Sequence, residues 1–230
     1  MILFENDAVV ALDKPPGVSM ATSTKEGKSA ADAVQRLFAA CGVPRPESPP
    51  LLVHRLDAGT SGVVLFAKTP EAHRALSLAL QERRAKKTYR ALVWGHPVPA
   101  TGTIDLALGR DPKDGRKMRV SAAGKPSVTR YATLRRFSST ADLELHPETG
   151  RTHQIRVHLS AKGHPIAGDD FYGGASRWRG VRDRRLREAL KGIARPLLHA
   201  QRIEIPEMGI DVTAPLPGDY EEILAILASA

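Results

Sequence analysis

A short polar segment between two apolar runs, in LLVHRLDAGTSGVVLFAKT at residues 51–69, constrains the fold of this chain more than any other feature. The runs Leu51–Val53 and Val63–Phe66 both predict buried strands, because short bounded apolar stretches are typical of them. Gly59–Gly62 predicts the turn between these strands. Asp57 therefore lies just before a predicted core strand, where an apolar residue would be expected.

Asp57 has several explanations in the sequence alone. Its carboxylate could cap the turn or form a surface pair with Arg55, and such a pair contributes less than about 1 kcal/mol. Side chains alternate along an extended segment, so Arg55 and Asp57 are expected on the same side and could instead act together on a ligand. His54 would then face the other way and serve as a structural hydrogen-bonding residue.

The remaining pattern predicts an α+β fold. Strand signals occur in hairpin-like runs with irregularly interspersed helices, which favours a mixed, largely antiparallel central sheet with flanking helices over a regular βαβ series. No repeat or convincing domain break interrupts the chain, so one domain over residues 1–230 is expected. Helices are predicted at 29–41 after Ser29, from Thr69 to about 85, at 151–163, in part of 177–195 and at 218–230; strands are predicted at 101–108, 126–137, 140–146 and 197–205.

The charge and hydropathy limit the classes of function. Lys and Arg outnumber Asp and Glu by 34 to 25, a net charge of +9 that favours a polyanionic partner such as nucleic acid, although a basic soluble protein would show the same excess. No secretory signal and no run approaching about 18 apolar residues is present, so we expect a cytoplasmic protein without a membrane partner.

GRTHQIRVHLS, at residues 150–160, predicts an amphipathic helix with functional side chains. Ile155 and Leu159 are four residues apart and can pack inward. Arg156 adjoins this apolar stripe, and a partly buried arginine needs a carboxylate, for which Asp57 is a candidate. The pairing would keep Asp57 ionised. His153 and His158 do not share a helical face, and no other histidines show ligand spacing, so no metal site is expected.

Tyr89 in KKTYRALVWG lies among cations in a chain with only 5% aromatic residues. A flat ring flanked by positive charge suits a stacked RNA base, although a strand tyrosine with its ring in the core fits equally well.

Two segments are strongly basic. GRDPKDGRKMRV at 109–120 could hold a phosphate backbone, and 177–191 adds further positive charge. The simpler explanation of either segment is a solvated surface. The cations of the first segment are Arg110, Lys113, Arg116, Lys117 and Arg119.

Taken together, these motifs resemble the RluA-type pseudouridine synthases over nearly the whole chain. The resemblance begins near Leu3, which implies a stand-alone catalytic domain without an N-terminal S4-like domain. The motif after KPPG departs from the family, because GVSMATS at 17–23 contains no histidine. The carrying motifs are KPPG, HRLDAGTSGVVLFAKT, KKTYRALVWG, GRDPKDGRKM, GKPSVTRY, GRTHQIRVHLSAKGHPIAGDDFYGG, LLHAQRIEI and APLP.

The resemblance implies a pseudouridine synthase fold with a catalytic cleft and a role for each matched residue. Those roles are catalytic carboxylate for Asp57, entry into the space of the flipped base for Arg55, stacking on the target base for Tyr89, pairing with the aspartate for Arg156, and lining of the pocket floor for Ile155 and Leu198. Asp169 is expected to fix a turn.

The implied activity is isomerisation of uridines in ribosomal or transfer RNA, a reaction that needs no metal, redox cofactor or nucleotide cofactor. A monomer is expected. The alternative is a non-catalytic RNA-binding module that uses the same basic cleft, and a metal-dependent nuclease is a more distant one. An aspartate at position 57 favours the enzyme.

Overall fold

The computed structural model of this protein describes residues 1–20, 29–44, 46 and 48–229. The chain divides into two compact units. The first contains residues 1–87 and 200–215, and the second contains residues 88–199 and 216–230. Residues 21–23 of the loop after KPPG lie outside the described residues.

Twelve strands and five α-helices occur in the described part of the chain. The strands are β1 Ile2–Glu5, β2 Val9–Lys14, β3 Leu51–Leu52, β4 Ser61–Ala67, β5 Lys86–Trp94, β6 Thr101–Asp105, β7 Leu108–Arg110, β8 Met118–Val120, β9 Val128–Arg136, β10 Thr140–Pro147, β11 Leu198–Ile205 and β12 Ile210–Thr213. The helices are α1 Ala30–Ala40, α2 Pro70–Gln81, α3 Gln154–Ala161, α4 Arg184–Lys191 and α5 Gly218–Ala228.

The first unit is built around β4, whose seven residues are all buried. β4 pairs antiparallel with β2 and with the short β3, and β2 pairs antiparallel with β1. One face of β4 packs with Leu76 and Ala79 of α2. On the other face, Phe66 meets Phe38 of α1 edge to face with ring centroids 5.8 Å apart. Because helices cover both faces, β4 reads as a continuous apolar run rather than an alternating one.

Gly62 at the start of β4 permits a close backbone approach that any side chain would prevent. Its φ is +110°, and a Cβ there would lie 2.1 Å from the carbonyl oxygen of Ala200. Only glycine combines this conformation with this contact. The turn after Asp57 is therefore held directly against the segment around Ala200.

The second unit has an antiparallel sheet in the order β5-β10-β9-β6. Side chains alternate across the strands and form two separate clusters. The cluster called here the α3 face includes Ala91 and Val93 of β5 together with Ile155 and Leu159 of α3. The cluster called the α5 face includes the intervening Leu92 and Trp94, with residues of α4 and α5. β7 and β8 form a separate hairpin.

The α+β prediction with a largely antiparallel sheet is confirmed, since every pairing described above is antiparallel. Two local predictions are wrong. The helix predicted over 151–163 occupies only Gln154–Ala161, because the preceding residues form a turn. The strand predicted at Leu51–Val53 has two residues, and Leu51 is 39% exposed at the sheet edge.

None of the described helices is long and apolar enough to span a membrane. The single-domain prediction for residues 1–230 stays a prediction.

Candidate functional site

Asp57 lies in an irregular loop of the first unit, between β3 and β4. It is half-buried, between the buried Leu56 and the exposed Ala58, and Arg55 is exposed. The Asp57 carbonyl oxygen accepts a hydrogen bond from the backbone N–H of Thr60 at 3.0 Å. This bond closes the turn that follows the carboxylate and fixes the backbone on which its side chain stands.

Lys14, the lysine of the KPPG motif, binds the backbone of this loop through its ammonium group. It is fully buried, and its ammonium donates to the carbonyl oxygens of Pro15 (3.0 Å), Ala58 (3.0 Å) and Thr60 (2.8 Å). A buried charge is tolerated only where hydrogen bonds compensate its lost hydration. Lys14 therefore links the end of β2 to both sides of the Asp57 turn, a role that sequence reasoning missed although KPPG was among the motifs.

His54 fixes the entry to the same loop. Its Nε2 accepts a hydrogen bond from the backbone N–H of Leu65 in β4 at 3.0 Å. Burial, and to a lesser extent the charge of Lys87, lower the pKa of His54 to about 4. A proton on Nε2 would face the Leu65 N–H, donor against donor, so the neutral ring is required. The structural role predicted for His54 is confirmed.

His54 makes the stability of the protein depend on pH. Between its unfolded pKa of about 6.5 and its folded value of about 4, the unfolded chain binds a proton that the folded chain does not, so stability falls as the pH falls through this window. We expect wild type to lose about 2–3 kcal/mol more than His54→Gln between pH 7 and pH 4.5, since the glutamine oxygen can still accept from Leu65. Urea unfolding at both pH values measures this, and equal losses in the two proteins would contradict it.

In the second unit, three predicted site residues from distant segments meet on the α3 face. Ile155 and Leu198 are buried there, 6% and 4% exposed, and the half-buried Tyr89 packs against the same cluster. Tyr89 stands opposite Leu145 in the β5–β10 ladder. The partly buried Tyr89 therefore packs with core residues, and its stacking on a base stays a prediction.

Arg156, next to Ile155 on α3, is buried and has a carboxylate partner in its own unit. Its Nε donates to Oδ2 of Asp169 at 2.8 Å and its Nη2 donates to Oδ1 at 2.9 Å, in a bidentate pair with both side chains almost inaccessible. Asp169 Oδ1 also accepts the backbone N–H groups of Phe171 (3.0 Å) and Tyr172 (3.2 Å). Asp169 therefore fixes a turn, as predicted, and also orients Arg156, which was not predicted.

The aromatic residues of that turn surround the Arg156 guanidinium. The guanidinium carbon lies 5.5 Å from the Phe171 ring centroid and 5.1 Å from that of Tyr172, distances that allow cation–π attraction. The Tyr172 hydroxyl bonds Nδ1 of His153 at 2.7 Å and accepts the N–H of Met118 at 3.0 Å. Tyr172 thereby joins the start of α3 to the β7–β8 hairpin.

The β7–β8 hairpin contains the residues that are predicted to contact phosphate. Arg116 and Lys117 lie over the Phe171 ring at 5.7 and 5.4 Å, so both cations lie on the same ring as Arg156. The exposed Arg110 donates to the carbonyl oxygen of Gly115 at 3.1 Å and braces the hairpin tip. Arg116 is paired with Asp114 at 2.9 Å, which offsets part of its charge.

The turn before α3 explains why that helix begins late. Gln154 satisfies both ends of its amide, accepting from Thr149 and the Arg151 N–H and donating to Val128 and Thr129 of β9. His153 takes a left-handed conformation with φ of 55°. His158 bonds Thr129 and the Leu106 carbonyl, so the two histidines of this segment have separate partners.

Groups of side chains that could hold a metal ion are absent from the part of the chain that the structure describes. The predicted pairing of Asp57 with Arg156 joins residues of the two units and stays a prediction, as do the roles of the site residues.

Comparison with known proteins identifies the family to which this chain belongs. Residues 8–161 match the family model for RNA pseudouridylate synthase. The chain is 37% identical over 232 residues to ribosomal large subunit pseudouridine synthase D of Pseudomonas aeruginosa, covering 98% of this chain and 71% of that protein. It is 39% identical over 226 residues to the dual-specificity RNA pseudouridine synthase RluA of Escherichia coli, covering 96% and 94%.

A solved structure agrees with these relatives. Human RNA pseudouridylate synthase domain containing 4 superimposes with a TM-score of 0.76 and 26% identity, covering 99% of this chain and 92% of that one. Fold and relatives thus define an isomerase that acts on a nucleoside within RNA. The chain belongs to the RNA pseudouridylate synthase family, and nothing in these comparisons supports a non-catalytic RNA-binding module.

Proposed function

We propose that this chain converts uridine to pseudouridine in ribosomal or transfer RNA, with Asp57 as the carboxylate that acts at C1′ of the target nucleotide. The observation that carries the proposal is the convergence of the partly buried Tyr89 with buried Ile155 and Leu198 in one apolar cluster, with buried Arg156 next to Ile155 on α3. These segments lie up to 109 residues apart in the chain, from position 89 to position 198, and a flat, partly buried ring beside apolar side chains suits a pyrimidine.

The isomerisation of uridine needs a well-placed carboxylate but no redox partner and no group donor. The N1–C1′ bond breaks, the base turns, and C5 forms a bond to C1′ while the C5 proton is lost and N1 gains one, so atoms and electrons balance without a cofactor. A carboxylate supports the first step either as a nucleophile on C1′ or by assisting loss of the C2′ proton toward a glycal. In the second route Tyr89 or Asp57 moves that proton.

The target base has to leave its stack before Asp57 can reach the sugar, which costs a few kcal/mol. Arg55 is exposed and two residues from Asp57, so its guanidinium can occupy the vacated position and donate hydrogen bonds there. Tyr89 then stacks on the extruded uracil, and base–aromatic stacking contributes about 1–3 kcal/mol. Together these contacts offset the cost of extrusion.

Arg156 is proposed to keep Asp57 anionic during the reaction. A guanidinium has five N–H donors in a planar fork, and two of those of Arg156 bond Asp169. Asp169, Phe171 and Tyr172 hold that fork in one orientation. An opposite charge close to a carboxylate favours the ionised form of that carboxylate.

Arg110, Arg116 and Lys117 are proposed to contact the phosphates that flank the target. Their hairpin is tied to α3 through Tyr172, so phosphate binding and the orientation of the Arg156 region are mechanically connected. The relatives' names support ribosomal RNA as a substrate, and a transfer RNA substrate is equally compatible with this surface.

The two compact units are proposed to act as one catalytic domain over residues 1–230, in a cytoplasmic monomer that needs no metal or nucleotide cofactor.

The test is to incubate the purified protein with short ribosomal and transfer RNA stem-loop transcripts in EDTA, then quantify pseudouridine in digested RNA. We expect pseudouridine at defined positions at the same rate as without EDTA. Absence of pseudouridine from every transcript, or a need for divalent metal in stem-loops that fold without it, would overturn the proposal.

A further inference from the structure

The segment from Arg177 to Lys191 concentrates the charge of this protein. It contains seven Lys and Arg residues and two acids, so it supplies +5 of the net +9 within fifteen residues. Five of its arginines, called here the arginine surface, have no ion pair with a carboxylate of the described residues. They are Arg179, Arg182, Arg184, Arg185 and Arg187.

Buried apolar side chains under α4 hold the arginine surface in place. Val181, Leu186 and Leu190 are buried against Ile223 and Leu227 of α5. Asp183 caps α4 by accepting the N–H of Leu186 at 2.8 Å. The apolar side of α4 is therefore already used inside the protein, so this amphipathic helix has no apolar face with which to enter a membrane.

Trp178 packs against the same apolar cluster, and its ring lies close to two cations, Arg179 and Lys191. Its ring lies 5.1 Å from the Arg179 guanidinium carbon and 5.7 Å from the Lys191 Nζ. Cation–π attraction orders both side chains before any ligand arrives, which reduces the entropy lost on binding.

Within the second unit, the arginine surface lies on the opposite face of the sheet from Tyr89. Tyr89, Ala91 and Val93 of β5 face the α3 cluster, whereas the intervening Leu92 and Trp94 face the cluster that contains α4 and α5. A polyanion bound to the arginine surface therefore cannot be the nucleotide stacked on Tyr89.

The placement of these charges is unfavourable for the free protein. Arg184 and Arg185 stand in the first turn of α4, where the helix dipole disfavours cations, and the first turn contains no acid. Asp183 at the N-cap offsets part of this effect, but the arginines outnumber the neighbouring acids and repel one another. A ligand with closely spaced negative charges would relieve both effects.

We infer that the arginine surface is a second RNA-binding site, which holds phosphates of a folded RNA at a distance from the target uridine. Arginine binds phosphate oxygens bidentately, and its planar fork suits this task better than lysine. The inference rests on the proposed function for the identity of the polyanion. It implies that a long RNA reaches both sides of the sheet, while a short stem-loop occupies only the side of Tyr89.

The experiment compares wild type with Arg182→Gln/Arg184→Gln/Arg185→Gln in filter binding to two RNAs, a short stem-loop substrate and a folded ribosomal RNA fragment of a few hundred nucleotides. For the long RNA we expect at least a tenfold loss of affinity at about 100 mM salt, and a log–log salt slope lower by about two to three. For the stem-loop we expect less than a twofold change. The melting temperature should be unchanged or higher, because cations leave the first turn of α4.

A matched control replaces three exposed arginines of the first unit, Arg36, Arg74 and Arg83, with glutamine. It should leave the affinity for long RNA within about twofold of wild type. The inference is overturned if the two triple variants lose the same affinity, if the stem-loop affinity falls as much as that of the long RNA, or if the slope for long RNA does not change. Loss of pseudouridine formation in the EDTA assay is a separate outcome, since it concerns the proposed function and not this binding.

Discussion

Asp57→Asn is expected to abolish pseudouridine formation while the protein still folds and binds RNA. Asparagine has the size and hydrogen-bonding capacity of aspartate but can neither attack C1′ as an anion nor accept the C2′ proton. Loss of a group that reacts covalently or transfers the proton lowers kcat by about 10³-fold or more. Release of tritium from C5-labelled uridine in a transcript measures this rate.

The control for this substitution is Asp7→Asn, which removes one negative charge from an exposed turn of the same unit. It should retain the wild-type rate. RNA affinity and its salt dependence should be the same for Asp57→Asn, Asp7→Asn and wild type within about twofold. Pseudouridine formation by Asp57→Asn at a rate near wild type would remove Asp57 from the mechanism.

Asp169→Ala is expected to destabilise the protein by about 3–5 kcal/mol, because it removes the bidentate carboxylate partner of the buried Arg156 guanidinium. Arg156 is 5% exposed and Asp169 is fully buried, so water cannot replace the lost partner. Two backbone N–H groups also lose their acceptor. The midpoint of urea unfolding at an unchanged m value measures the loss.

A double variant separates stability from catalysis at this pair. Arg156→Met/Asp169→Asn removes both charges, fills a similar volume and keeps an acceptor for the two N–H groups, so we expect it to be more stable than Asp169→Ala. It should nevertheless be inactive, because the guanidinium proposed to act on Asp57 is gone. Normal activity of the double variant would show that Arg156 is only structural.

The exposed pair Arg202–Asp211 is the matched control. It is also bidentate, with distances of 2.7 and 2.6 Å, but its side chains are 42% and 58% exposed. Asp211→Ala should shift the urea midpoint far less than Asp169→Ala. Similar shifts for the two substitutions would mean that burial does not determine the cost.

Several helix boundaries could be read from local sequence. Ser29 begins α1 with a capping box to Asp32, and Thr69 begins α2 with its hydroxyl accepting from Ala72 at 3.2 Å. The start of α3 could not be read in this way. Gln154 there satisfies its amide on Val128 and Thr129 of β9, a contact that no local rule contains.

Some residues of the candidate site could likewise be predicted from the sequence, and others could not. The motif resemblance pointed to Tyr89, Ile155 and Leu198, and the structure places the three in one cluster. The partner of Arg156 within its unit was missed. The GDDFYGG segment contained the signal, since an aspartate before paired aromatics can supply both a counter-ion and ring faces to an arginine.

By itself, the sequence determined the α+β class, the caps of α1 and α2 and the residue types at the candidate site, because these depend on short-range periodicity and on motifs a few residues long. Only the tertiary structure decided that Lys14 supports the Asp57 turn, that Asp169 holds Arg156 and that the arginine surface faces away from Tyr89. The physical reason is that each of these depends on which distant segments pack together, and a buried charge takes whichever partner that packing provides.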